Sequence, residues 1–99
     1  LDKAAATSAL DTLAQSLDVS LLRAAQGVID IVVANMVRAI RTISVERGHD
    51  PREYCLMPFG GAGPLHARDV ARNLGIQEIL VPPAPGIICA HGLVVSDLL

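Results

Sequence analysis

The sequence predicts an α/β fold that is mostly helical and carries one βαβ unit with two parallel strands. Three observations support this. Apolar residues recur at helical spacing through the first half of the chain. Two short apolar runs, residues 54–59 and 78–81, read as buried strands. Between them stands Phe59-Gly60-Gly61-Ala62-Gly63-Pro64-Leu65-His66-Ala67, a glycine turn that opens directly into a helix. The expected organisation is a helical pair over residues 1–47, then a βαβ unit and a C-terminal helix over residues 52–99.

The first helix is expected over residues 3–17, where Ala6, Leu10, Leu13, Ala14 and Leu17 lie on one face. Asp18-Val19-Ser20 breaks the pattern, and Ser20 suits the N-cap of a second helix starting near Leu21. That helix carries Ala25, Val28, Ile29, Val32, Val33, Met36, Val37, Ile40 and Ile43, a stripe broad enough for more than one neighbour. Arg38, Arg41 and Arg47 gather toward its end and Gly48 follows, so it should stop near Arg47. Asn35 is the polar residue on that helix that would need a partner if buried.

His49-Asp50-Pro51-Arg52 reads as a turn, and Pro58 limits the first strand because proline cannot donate to a ladder. Pro64 suits the first position of the next helix, which should reach Asn73 or Leu74 before Gly75 ends it. A strand at 78–81 then completes two parallel strands joined by a right-handed crossover. Pro82-Pro83-Ala84-Pro85-Gly86 is a rigid loop, and residues 87–99 read as a final apolar helix.

Composition excludes several functions. A net charge of -2 leaves no electrostatic footprint for nucleic acid, and one Phe, one Tyr and no Trp leave no platform for stacking bases. The longest apolar stretch, residues 31–37, is far short of the ~20 residues that span a bilayer, and no signal-peptide layout appears. Cys55 and Cys89 sit in apolar settings and read as free, buried thiols, consistent with a reducing cytoplasm. Neither cysteine pairs with His49 or His91 at zinc-ligand spacing, so no metal site is expected. In the 99 residues, 52% are hydrophobic and 18% charged, and Leu1 opens what reads as the middle of a helix. A piece of a larger polypeptide is therefore expected, and its uncovered apolar faces should drive self-association when it is isolated.

The glycine turn is the candidate site. Glycine lets a ligand approach the main chain, and the first N–H groups of the following helix point outward with positive dipole character. Candidate binding residues are Gly60, Gly61, Ala62, Gly63 and Pro64, with His66 in the first helical turn as a further contact or a local packing residue. A P-loop is ruled out because no Lys and no Ser or Thr follow Gly63. The dinucleotide fingerprint fails where His66 replaces Gly or Ala, and again where Pro82 and Pro83 replace an acidic residue.

Several blocks in order nevertheless resemble the hydantoinase A and oxoprolinase family, which includes N-methylhydantoinase, 5-oxoprolinase and acetone-carboxylase-type subunits. The resemblance begins near Ala24 and includes Asn35-Met36, Ile40-Arg41, residues 45–52, residues 59–67, Leu74-Gly75-Ile76 and residues 81–86. Cys89 stands where the family pattern around the last loop has serine. The resemblance implies an actin-like (ribonuclease H-like) ATPase lobe in which Gly60, Gly61 and Gly63 face the adenosine of ATP. It also implies a magnesium and phosphate segment that these residues lack, and a partner subunit or domain of the hydantoinase B type. The implied reaction is ATP-driven opening of a cyclic amide: phosphorylation of the carbonyl oxygen creates a leaving group and water attacks, whereas carboxylase relatives activate a ketone. The other reading is a helical assembly module whose glycine turn is only structural.

Overall fold

The computed structural model describes residues 1–96. Their α-helices are α1 (Lys3–Leu17), α2 (Leu21–Ile43), α3 (Gly63–Leu74) and α4 (Ile88–Val95), with 3-10 turns at Val45–Arg47, Pro51–Glu53 and Pro85–Ile87. The chain divides into two compact units, Leu1–Asn35 and Met36–Leu99.

In the first unit, the Asp2 carboxylate caps α1 by accepting the Ala5 N–H at 3.0 Å. Asp18 closes α1 in the left-handed conformation at φ 54°, directing its N–H to the Ala14 and Gln15 carbonyls. Ser20 caps α2 as its position predicts, its Oγ accepting the Arg23 N–H at 3.1 Å. Ala14 and Ala24 are buried, whereas Leu13 and Leu17 are exposed beside a groove of about 280 Å³ that Val28 and Ile31 also line. Asn35 is exposed and needs no buried partner.

In the second unit α2 ends at Ile43, one turn before the expected Arg47. The Ser44 hydroxyl donates to the Ile40 carbonyl at 2.7 Å, and the Ser44 N–H takes the tighter bond to Arg41. Side-chain competition for the helical acceptor thus turns the last stretch into a 3-10 turn. Gly48, at φ 84°, closes that turn. After α3, Gly75 is left-handed at φ 72° and donates to the Ala71 and Arg72 carbonyls, the stop that its position predicts. Of the final apolar stretch, α4 covers Ile88–Val95, and the expected remainder at residues 97–99 lies outside the described residues. No described helix is long and apolar enough to cross a membrane.

The expected α/β class is not observed. Among the described residues there is no strand and no sheet; the two apolar runs meet in a single parallel bridge, Leu56 to Ile79. Leu56 N–H donates to Glu78 and Leu80 N–H donates to Leu56, both at 2.9 Å. The next donors of a parallel ladder in this register would be residues 58 and 82, and both are prolines, which have no N–H. On the other side Tyr54 N–H is committed to Pro51, closing the 3-10 turn there. Nor are the runs buried: Met57, Phe59, Ile79, Leu80 and Val81 are all exposed. A lone parallel pair without further strands to cover it does not propagate. The βαβ unit, and the parallel-sheet piece of an actin-like lobe built on it, are replaced by a helix anchored between two loops.

That helix is α3. Ala67, Val70, Ala71 and Leu74, at i, i+3, i+4 and i+7, form its buried face, and Ile76 extends the same small core. Val70 is the most enclosed of them, 1% exposed.

Candidate functional site

The glycine turn is held from below. Pro58 is buried, and a Cβ built on Gly63 would lie 3.7 Å from its carbonyl carbon, so the turn folds back onto Pro58 in ordinary contact. The helix begins at Gly63, one residue earlier than expected, which puts Pro64 in its first turn, where the missing N–H removes no helical bond. Ala62 precedes it with no side-chain cap; its carbonyl accepts the Leu65 N–H at 3.1 Å, and the Gly63 N–H makes no backbone hydrogen bond among the described residues.

Gly60 requires glycine, because its φ of 82° lies in the left-handed region. Its N–H is occupied, donating to the Pro85 carbonyl at 2.8 Å. Gly61 differs: its φ is ordinary and a Cβ there would meet nothing within 4 Å. Among the described residues, no protein acceptor stands opposite the N–H groups of Gly61, Ala62 and Gly63. The sequence-predicted residues are therefore together, with three free main-chain donors on consecutive residues and Gly60 serving a different partner. His66 is half-buried, one turn into α3, and makes no side-chain hydrogen bond among the described residues.

Pro85 was not among the candidates from sequence. It follows Ala84, a non-glycine residue at φ 49°, and Ala84 accepts the Ile87 N–H at 3.1 Å to close the Pro85–Ile87 turn. Alanine carries no sequence signal for this conformation.

A second depression, an apolar cavity of about 250 Å³, is lined by Ile40, Ile43, Tyr54, Leu56 and Ile76, with His49 edge-on to Tyr54 at 6.3 Å between ring centroids. Cys55 also lines it, and both cysteines are free as expected but exposed, because Cys55 lies outside any buried strand and α4 buries no residue. No cluster of three metal-ligating side chains occurs among the described residues. Nearby, Arg52 donates to both Asp50 carboxylate oxygens, with its Nη2 2.8 Å from Oδ2. This hydrogen bonding holds the Asp50 carboxyl below its ordinary value and raises Arg52. The stem of Arg52 then lies over Gly75, where a Cβ would come within 3.1 Å of its Cγ.

This chain is similar throughout to known enzymes. It is 38% identical over 99 residues to the alpha subunit of caprolactamase from Pseudomonas jessenii, covering 99% of this chain and 14% of that protein. The crystal structure of the ATP-dependent caprolactamase from the same organism matches with a TM-score of 0.85 at 38% identity, again over 99% of this chain and 14% of that one. The nucleotide-free structure of acetone carboxylase, from work on ATP-dependent acetone carboxylation, matches with a TM-score of 0.88 at 27% identity and the same coverage. 5-oxoprolinase 1 of Arabidopsis thaliana is 38% identical over 82 residues, 83% of this chain and 6% of that protein. The chain thus spans about one seventh or less of the length of these relatives. The sequence profile of the hydantoinase/oxoprolinase family matches residues 1–99. From its first residue to its last, this chain belongs to the hydantoinase/oxoprolinase family.

Proposed function

We propose that the chain is one part of an ATP-dependent enzyme that opens cyclic amides, and that residues 60–64 form a main-chain cradle on the adenosine side of its nucleotide site. The observation that carries this reading is the run of unopposed N–H groups at Gly61, Ala62 and Gly63. Similarity to an ATP-dependent caprolactamase along 99% of the chain supports it. Three outward donors beside a helix N-terminus suit acceptor atoms of a ligand, and the open space at Gly61 lets that ligand reach the backbone. His66 is a further contact to the same ligand. ATP, when bound, supplies the phosphoryl group that converts the amide oxygen into a leaving group. In this chain the cradle binds and orients, and Gly60 holds its shape. The magnesium and phosphate groups belong to other parts of the complete polypeptide in this reading. A hydantoinase B-type partner and a cytoplasmic setting complete it.

The test is Gly61→Val in the complete protein. Because the glycine has ordinary φ and open surroundings, its melting temperature should shift by less than about 2 °C. Its ATP affinity should fall at least roughly tenfold, since a β-branched side chain blocks the approach to the donors. Unchanged affinity, or a loss that unfolding explains, overturns the reading. The 99 residues alone should neither hydrolyse ATP nor open a ring, because transition-state stabilisation needs groups on both sides of the reacting centre.

A second reading, an assembly module with a structural glycine turn, is favoured by the apolar residues that α1 and α2 leave uncovered in the first unit, Leu17, Leu22 and Ile31, exposed by 59%, 81% and 64%. Intact ATP binding in Gly61→Val would leave this reading standing.

A further inference from the structure

The two loops of the second unit are joined by one hydrogen bond with no side chain in it. Below it, the parallel bridge at Leu56 and Ile79 is cut off by Pro58 and Pro82, so the ladder cannot climb toward the glycine turn. Beyond the prolines the backbones pair again, through the Gly60 N–H and the Pro85 carbonyl at 2.8 Å. The direction of that carbonyl is set by its neighbours. Ala84 is left-handed at φ 49° and ψ 59°, Pro85 has a restricted φ, and the Ile87 N–H closes the turn onto Ala84. Alanine reaches this conformation only at a cost, and here it stands directly before the Pro85–Ile87 turn. The conformation brings the Pro85 carbonyl to Gly60.

From this geometry we infer that loop 82–86 is the strut of the glycine cradle, with Ala84 a positioning residue that acts through Pro85 and Gly60. Gly60 then does not contact ligand through its N–H; it fixes the start of the turn so that Gly61, Ala62 and Gly63 present their donors together. The inference rests on the nucleotide reading above and adds to it a second loop that touches no donor of the cradle.

The experiment uses the complete protein, with hydrogen exchange at the Gly60 amide and ATP affinity measured side by side. In the unaltered protein the Gly60 amide should exchange at least roughly tenfold more slowly than the Gly61 amide, because one is bonded and the other free. Ala84→Val, a β-branched residue that resists the left-handed region, should speed Gly60 exchange and weaken ATP binding, each by roughly tenfold. Ala84→Asn, of similar bulk but at ease in that region, should recover both. A loss shared equally by Val and Asn would mean that bulk, and not backbone conformation, is at issue, and would overturn the inference. Equal exchange at Gly60 and Gly61 in the unaltered protein would also overturn it, whether or not the variants fold. Faster Gly60 exchange in Ala84→Val with ATP affinity intact, while Gly61→Val loses binding, would refute the strut and leave the nucleotide reading in place. Intact binding in Gly61→Val would remove that reading and the strut's role with it.

Discussion

α3 and α4 each follow a loop rich in glycine or proline, yet the chain treats them in opposite ways. α3 alternates Ala67, Val70, Ala71 and Leu74 with Arg68, Asp69 and Arg72, buries the apolar set, and is stopped by a left-handed glycine. α4 is apolar around most of its circumference, with His91 its one polar side chain, and buries nothing: Leu93, Val94 and Val95 are all exposed. A helix with one apolar face is satisfied by a single neighbour, whereas one that is apolar all round needs several. The free donors of the glycine turn stand on the helix that this chain secures by itself. The other helix is left bare by the described residues, and the chain covers 14% or less of these relatives.

The sharpest way to break this comparison is at the end of α3. Gly75→Ala should destabilise the chain by about 2–3 kcal/mol, because the residue is left-handed and its Cβ would press on the Arg52 stem. Chemical denaturation measures it, and a neutral result would mean that α3 does not need its stop. Next, Val70→Ala should cost about 2 kcal/mol, while Val94→Ala in the same 99 residues should stay within about 0.5 kcal/mol. Equal losses would show that α4 is packed in solution and would erase the contrast. A smaller effect is expected in association. Leu93→Ser with Val94→Ser should reduce light scattering and hydrophobic-dye binding by the isolated chain, with its helical content little changed.

The smallest effect tests the strap over the α3 stop. The bond to Arg52 lowers the folded-state Asp50 carboxyl below its unfolded value, so this pair's contribution is present above the unfolded pKa and is lost as pH falls through the folded one. Both side chains are at the surface, which keeps the effect slight. Acid titration of stability in Asp50→Asn should be flatter than in the parent below the ordinary carboxylate range. Identical profiles would separate Arg52 from the stability of the turn.

Much of the helical framework was legible because the signals that start and stop helices act within a few residues. Ser20 caps α2, Gly75 stops α3, and the glycine run opens into α3 within one residue of expectation, whereas Gly48, expected to end α2, closes a separate 3-10 turn beyond it. Side-chain oxygens and left-handed glycines serve adjacent N–H and carbonyl groups, so the local sequence determines where they act. Membership of the family was legible for a related reason, since ordered blocks of residues can be compared without knowing what they touch.

Pairing and burial needed the tertiary structure. Residues 54–59 and 78–81 have the composition of strands, but only the placement of Leu56 opposite Ile79 puts Pro58 and Pro82 in consecutive donor slots, and that register depends on the path of the chain between them. The exposed cysteines follow from the same loss of a sheet, at Cys55, and from an uncovered helix, at Cys89. The left-handed Ala84 and its link from Pro85 to Gly60 leave no trace in the letters, because a backbone conformation held by a distant N–H is chosen by the partner and not by the residue that adopts it. Local signals thus placed the start of α2, the stop of α3, the glycine turn and the family, through forces that act over one or two turns of chain, but they missed the end of α2 at Ile43 by a turn. Only the tertiary structure decided which apolar residues are covered, where the ladder stops, and which donors of the turn remain free, because each depends on atoms far away in sequence.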